Sequence, residues 1–409
     1  MTQFNHYFGV LKNFNFTKLW VSQVCSQLTN YLLSFAVLIR TFNLTHSSLA
    51  VSVIILSFGG ATVIFGSIAG VYSDRFDRRK LLTVINLLQA LSVLCFLPVR
   101  DNFWGMAVVT FIYSSLNQFY LPAEAPSIPD LVKEEDLLVA NSYFSFTGSG
   151  SMILGFVLAG PISLAYGSAA VFLLGFALLV LATVSTYFLP PLKRKAQAQK
   201  RLMEDFWAEF KEGILHFWDS KVLHFPLQSL FAAQIFNGML ITIVPAFVEK
   251  VLDVKLETGT FYMIAPLGLG ILLGALLLGF ENRYVSKPNL ILAGFIGMGA
   301  TMVSMAIFVG PSHPIIYAVL ALVLGYFNSH IVAPSHSILQ KHVSEHVRGR
   351  IYASLYVLLQ TAATIPTILI GLLADKTSVY LVLGIIGGTL VATGLILRNL
   401  HSAHYQEKF

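Results

Sequence analysis

Residues 66–82 read GSIAGVYSDRFDRRKLL. An apolar, glycine-bearing segment ends in Asp74, Arg75, Asp77, Arg78, Arg79 and Lys80, and apolar sequence resumes at Leu81. Both flanks are long: 49–72 on one side and 81–99 on the other. A membrane-crossing helix needs about 20 mostly apolar residues. The charged cluster is therefore a turn at the edge of a hydrocarbon layer, between two helices that cross it.

The pattern repeats outward in both directions. Apolar runs fall at 19–40, 49–72, 81–99, 103–121, 138–164 and 169–189, then at 223–248, 259–280, 289–309, 315–338, 351–374 and 379–398. Of the 409 residues, 56% are hydrophobic and 11% are charged. A soluble domain carries about 25% charged residues, so lipid is the solvent for much of this surface. The sequence predicts an all-α membrane protein with twelve transmembrane helices in two six-helix bundles. Residues 1–189 form the first bundle, 190–222 a linker and 223–409 the second bundle.

Lys and Arg set the orientation, because cytoplasmic loops collect them. With both termini inside, only Arg40, Arg100, Lys250, Lys255 and Lys376 of the 26 Lys and Arg residues fall outside. The net charge of +6 is thus a topological signal, and no nucleic-acid partner is implied. The plasma membrane is the expected location. Residues 1–18 lack the apolar core of a signal peptide, so the first run serves as an uncleaved insertion signal. In the linker, Phe206, Phe210, Ile214, Phe217 and Trp218 recur at helical spacing, which predicts an amphipathic helix on the inner membrane surface. Cys25 and Cys95 lie inside apolar runs and read as buried thiols.

The two halves repeat one another. GALLLGFENRYVSKPNL at 274–290 aligns with 66–82, placing Gly274 on Gly66, Asn282-Arg283 on Asp74-Arg75 and Lys287 on Arg79. A second pair of loops begins at Pro122 and Pro334. Internal repeats of this kind are common in transporters that bind substrate between their halves near the midplane.

Gly70, Asp74, Arg75, Phe76, Arg78 and Arg79 together resemble the signature loop between helices two and three of the major facilitator superfamily. Leu121-Pro122-Ala123, Ile128-Pro129-Asp130-Leu131-Val132 and Ala140-Asn141 resemble the drug-exporter branch that includes macrolide and siderophore efflux proteins, as does Ser26-Gln27-Leu28-Thr29-Asn30. The resemblance implies alternating access by rocking of two bundles, with Gly66, Gly70, Asp74, Arg75, Arg78 and Arg79 governing the cytoplasmic gate. It also implies that Asp74 sits against the start of helix eleven. A direct pair with an arginine of Arg348-Gly349-Arg350 is the other option. The branch's antiporters carry a Gly-Pro motif in helix five; here Gly155 is followed by Phe156, and Gly160-Pro161 is displaced.

Polar side chains inside spanning helices are costly and tend to face a cavity. The resemblance places the pathway along helices one, four, seven and ten. The cavity candidates on those helices are Gln27, Asn30, Asn117, Asn237, Asn328 and His330. No Asp or Glu lies at mid-span, and Glu124, Glu249, Glu281 and Asp375 read as helix-end acids. That leaves His330 and His224 as the deep candidates for proton coupling, with Glu124 or Asp74 nearer the edge. It also favours a neutral, amphipathic or anionic small molecule over a purely cationic one. His342 and His346 have helical metal-ligand spacing but no accompanying ligand motif, so no metal is expected, and no cofactor. No Walker loop, dinucleotide fingerprint or Ser-His-Asp pattern points to an enzyme. The expected protein is a monomeric secondary transporter exporting a drug-like solute. Uptake of a narrow physiological solute, or a non-transporting receptor or assembly subunit, is the alternative.

Overall fold

The computed structural model describes residues 9–73, 76–192, 221–307, 314–342 and 345–405. No strand occurs among them. The long helices are α1 (Phe14–Thr45), α2 (Ser48–Ser73), α3 (Arg78–Val99), α4 (Phe103–Asn117), α5 (Leu137–Tyr166) and α6 (Ser168–Tyr187), then α7 (Lys221–Lys250), α8 (Ala265–Glu281), α9 (Lys287–Ile307), α10 (Pro314–His342), α11 (Glu345–Lys376) and α12 (Val379–Tyr405). Ten helices among the described residues are long and apolar enough to cross a membrane. α1 has the length, but Ser22, Gln23, Ser26, Gln27, Thr29 and Asn30 interrupt its apolar surface. α4 is only 15 residues long. The predicted linker helix lies outside the described residues.

The fourth run is expected to be a single helix to residue 121, but α4 ends at Asn117. Pro122 has no N–H to offer the Gln118 carbonyl, and Pro126 and Pro129 repeat the interruption. The chain continues as short helical turns, Tyr120–Glu124, Ala125–Ser127 and Ile128–Leu131. α10 contains the equivalent Pro334 alone and stays helical to His342. Ends are capped where the sequence provides a cap. Asp77 accepts from the Arg79 N–H at 3.0 Å, and Asn102 from the Gly105 N–H at 2.9 Å. Both follow the usual N-cap chemistry.

Contacts divide the chain into two compact units, residues 1–44 with 56–206, and residues 45–55 with 207–409. In the first, Phe16, Leu19, Leu82, Ile85, Tyr120, Ala123, Ile128 and Phe144 form a buried core, and Phe96 stacks on Phe172 with ring centroids 5.1 Å apart. Cys25 is buried as expected; Cys95 instead lies exposed on α3, whose outer face also exposes Val84, Leu87, Leu88 and Leu91.

The second unit is closed by glycine seams. A Cβ on Gly270 would lie 1.9 Å from the Leu322 carbonyl oxygen, one on Gly274 2.0 Å from Ser329 Oγ, and one on Gly325 2.0 Å from the Leu267 carbonyl oxygen. α8 and α10 thus touch backbone to backbone, the contact that small residues permit between spanning helices. Gly299 and Gly387 do the same for α9 and α12. The outer faces are greasy instead of charged: Leu276, Ile315 and Phe146 are each more than 70% exposed. That inversion is what a lipid solvent favours.

Gly270→Val should lower the thermal midpoint of the purified protein, through an overpacking cost of about 1–3 kcal/mol or more. Gly279→Val, where nothing stands within 4 Å, should leave it near wild type. Equal midpoints for the two variants would remove the seam from the account of stability.

Candidate functional site

In the first unit, α1 presents a polar face to its neighbours. Gln23 Nε2 donates to the Phe144 carbonyl at 3.0 Å, and Thr147 Oγ1 donates to Gln23 Oε1 at 2.5 Å. One turn on, Gln27 and Asn30 are only half-buried. Neither side chain has a hydrogen bond among the described residues. Tyr31 follows, its ring 5.6 Å from that of Phe156 on α5, and Phe35 packs edge-on against the same ring at 6.0 Å. Two free amides beside a strip of aromatic rings form an amphipathic surface.

A second polar cluster lies deeper. Asn86 Nδ2 donates to Ser22 Oγ at 3.0 Å, which is 3.0 Å from the Tyr120 hydroxyl. The hydroxyl in turn bonds the Glu124 carboxyl. Gln89 Nε2 reaches Asn117 Oδ1 at 3.2 Å, so the predicted cavity residue Asn117 ties α4 to α3. Glu124 is 2% exposed. Among the described residues its Oε1, like Asn86 Oδ1 and Gln89 Oε1, has no hydrogen-bond partner. Glu124 ends a short helix after α4, as the sequence implies, and its side chain is buried in the first unit.

The gate candidates divide. Gly66 and Gly70 lie on α2. A Cβ on Gly66 would meet Thr62 Cγ2 at 3.8 Å and Gln118 Oε1 at 3.9 Å, ordinary contact distances. Asp74 and Arg75 lie outside the described residues, as do the side chains of Arg348 and Arg350. Arg78 is 8% exposed and committed inside the first unit, donating to the Pro126 carbonyl at 3.0 Å and pairing with Asp130 at 3.1 Å. Arg79 Nη2 donates to the Tyr187 carbonyl at 2.6 Å, with the guanidinium carbon 5.6 Å from the Tyr187 ring centroid.

In the second unit the amides pair across helices. Asn328 Nδ2 donates to Asn237 Oδ1 at 2.8 Å, joining α10 to α7. Gln234 Nε2 donates to Gln360 Oε1 at 2.8 Å, joining α7 to α11. Such bonds contribute about 0.6 kcal/mol each on average in a membrane. His330 is 3% exposed, and its Nε2 lies 2.5 Å from Glu281 Oε2. The Tyr326 hydroxyl donates to the other carboxylate oxygen of Glu281, and His330 Nδ1 lies 2.8 Å from the Tyr326 carbonyl oxygen. Glu281 terminates α8, as the sequence implies, but its side chain reaches His330. Sequence reasoning passed over Glu281 and Tyr326. The available signal is the spacing of Tyr326 and His330, four residues apart on one face of α10.

At the head of α2, Asp375 accepts from the Ser48 N–H at 2.6 Å, the Leu49 N–H at 3.1 Å and Ser47 Oγ at 2.5 Å. A carboxylate from α11 thereby caps a helix start distant in sequence. Beside it, His46 Nδ1 lies 2.9 Å from Glu249 Oε1. These contacts explain why residues 45–55 pack with the second unit. Among the described residues no cluster of three or more His, Cys, Asp or Glu side chains is placed to hold a metal.

The family model of the Major Facilitator Superfamily matches residues 19–365. The chain is 27% identical over 401 residues to the MFS-type transporter YfiS of Bacillus subtilis (strain 168), covering 92% of this chain and 91% of YfiS. It is 26% identical over 376 residues to Macrolide efflux protein A of Streptococcus pyogenes, covering 89% and 90%. It is 24% identical over 350 residues to the multidrug efflux pump Tap of Mycolicibacterium fortuitum, covering 82% and 84%. Among solved structures, the nucleoside transporter NupG superposes with a TM-score of 0.71 at 14% identity, covering 94% of this chain and 98% of NupG. The POT family transporter PepTSo gives 0.70 at 12%, covering 97% and 99%. At these identities the structures speak to fold alone.

Asp375→Ala removes the acceptor for two N–H groups of α2 and should cost about 1 kcal/mol, the usual loss on deleting an N-cap. Asp375→Asn, which keeps one carbonyl oxygen, should lie between. Thermal unfolding in detergent reads both, and an unchanged midpoint for the alanine variant would show that the cap contributes nothing.

Proposed function

The chain belongs to the Major Facilitator Superfamily, a family of membrane transporters, and we propose that it is a secondary active exporter of amphipathic, drug-like molecules. It is a multi-pass membrane protein handling a small-molecule substrate, not an enzyme. In this reading it sits in the plasma membrane with both termini in the cytoplasm, a topology supported by the distribution of Lys and Arg.

The observation that carries the reading is the surface formed by Gln27, Asn30 and Tyr31 on α1, backed by the buried ring of Phe35. Its two amides have no internal partner, whereas Gln23, Asn117, Asn237 and Asn328 are each bonded within their own unit. An amide left half-buried beside aromatic rings suits a ligand with apolar area and a few hydrogen-bonding groups. Macrolide efflux protein A and the pump Tap, by their names, export molecules of that broad kind, which favours efflux over uptake. Asn117, Asn237 and Asn328 set the helix spacing around the substrate path. Gly66, Gly70, Asp74, Arg75, Arg78 and Arg79 form the cytoplasmic gate, with Arg78 anchoring the turn through Asp130.

Export against a gradient needs an energy source, and proton antiport fits the buried ionisable groups His330 and Glu124. Among the described residues no cation pairs with Glu124, so a change in its protonation makes or breaks no ion pair there. His330 has Glu281.

Cells producing the protein should accumulate less of some macrolides or hydrophobic dyes than cells without it, and the difference should vanish when the proton gradient is collapsed. Gln27→Ala and Asn30→Ala, at equal surface expression, should each weaken apparent affinity roughly five-fold, the effect of losing about 1 kcal/mol of hydrogen bonding. No difference across the panel would overturn the export reading and favour a narrow physiological solute or a receptor role.

A further inference from the structure

We propose that Glu281 and His330 together form the proton-binding site of the transport cycle, holding one exchangeable proton between Oε2 and Nε2. This rests on the antiport reading above.

The hydrogen-bond chemistry supplies the first argument. A carbonyl oxygen only accepts, so the 2.8 Å contact of His330 Nδ1 with the Tyr326 carbonyl requires the hydrogen on Nδ1. That leaves Nε2 as the basic nitrogen, facing Glu281 Oε2 at 2.5 Å. A lone pair and a carboxylate oxygen repel at that distance unless a proton lies between them. The arrangement suits a loaded pair: neutral imidazole with neutral carboxyl, or imidazolium with carboxylate, and in either case one proton more than the empty pair. Tyr326, donating to the other carboxylate oxygen, stays in place as a donor whether the proton is present or gone.

The internal repeat supplies the second. The alignment that pairs Asp74 with Asn282 pairs Ser73 with Glu281, and the one that pairs Pro122 with Pro334 pairs Gln118 with His330 and Ser114 with Tyr326. Gln118 Nε2 donates to the Ser114 carbonyl at 3.3 Å, the same link four residues back that His330 makes to Tyr326. The scaffold thus needs only one donor at this position. The first half meets that need with a neutral amide, and the alignment gives it a serine where the second half has Glu281. The second half adds a second ring nitrogen and a carboxylate, which the fold does not require.

Exposure and surroundings complete the site. The Glu281 side chain is 27% exposed and that of His330 3%, so one partner reaches the protein surface while the other stays shielded. The flanking elements contribute little competing charge. α9 meets His330 at Gly294, and α7 faces α10 with the neutral Asn237. Arg283 lies against the Phe280 ring, and Lys287 donates to Ser337. His336 is the next titratable group along α10. When the proton leaves, Oε2 and Nε2 become two facing acceptors and must part. The glycine seam at Gly270, Gly274 and Gly325 fixes the rest of α8 against α10, so the movement falls on the last turns of α8, where the chain enters the second copy of the repeat loop.

The test begins without a transport substrate. Purified full-length protein in lipid nanodiscs, given a pH jump, should release one proton more per molecule than Glu281→Gln or His330→Gln, read with a soluble pH dye. In wild type, nitrogen-15 histidine NMR should show His330 with a protonated Nδ1 and an Nε2 that titrates. This needs no variant, so it stands even if a substitution fails to fold. Equal proton counts in wild type and both variants, or an Nε2 that does not titrate, would overturn the assignment. In proteoliposomes, both variants should lose pH-gradient-driven erythromycin transport at least ten-fold while keeping erythromycin exchange. Retained gradient-driven transport in both also overturns it. Should wild type not move erythromycin while the proton difference persists, the drug-export reading fails and the proton site is supported.

Discussion

Hydrocarbon offers no hydrogen bonds, and the organisation of this molecule answers that constraint. Each backbone N–H and C=O must be satisfied within its own helix, which is why the described residues are helices and tight turns. Side-chain polar atoms face the same demand. Thr29, Ser34, Ser115, Ser229 and Ser335 meet it locally, each donating to the carbonyl four residues back. Amides reach too far for that solution and pair between helices instead, as Asn237 does with Asn328 and Gln234 with Gln360. Once these easy pairings are made, the groups that remain become informative. Among the described residues they include the free amides of Gln27 and Asn30, the orphaned oxygens of Asn86, Gln89 and Glu124, and a carboxylate placed against a histidine.

Much of the fold was legible in the sequence because it depends on averages. Hydrophobic runs report membrane crossings, and the repeat of residues 66–82 at 274–290 reports two related halves, neither of which requires knowing where a side chain points. The break after Asn117 was legible in principle from Pro122, Pro126 and Pro129, but hydropathy alone runs straight through it. The site was harder. Residue number along a spanning helix gives the depth of the Cα, whereas a glutamate reaches several ångströms from its own Cα. Glu281 belongs to the helix end by position and to the core by contact. Glu124 likewise ends a short helix, as its position implies, while its burial depends on packing that no local pattern reports. Arg78 was recognisable as a loop cation, but its partner Asp130 lies 52 residues on, a separation no local pattern bridges.

The repeat also shows how two similar halves can carry different tasks. At Gly66 a methyl group would meet its neighbours at ordinary distances, while at the equivalent Gly274 it would collide with Ser329 and the Tyr326 carbonyl. The first half has room along α2 where the second is closed along α8. The polar chemistry follows the same division. The first unit's buried carboxyl, Glu124, bonds the Tyr120 hydroxyl, whereas the second unit's carboxyl lies against an imidazole.

That division bears on how transport is driven. A buried neutral network changes little in energy when the helices around it shift, because its hydrogen bonds can be exchanged for others of similar strength. A close pair of ionisable groups in a poorly screened setting behaves differently, since one proton converts attraction into repulsion. A gradient can act on such a contact because protonation changes its sign. Rigidity matters as well: where α8 and α10 were free to slide, the repulsion would relax through small movements spread along both helices. The backbone contacts at Gly270, Gly274 and Gly325 oppose such sliding, so under the proposed assignment the response falls on the end of α8, beside the loop that repeats the gate sequence of the first half.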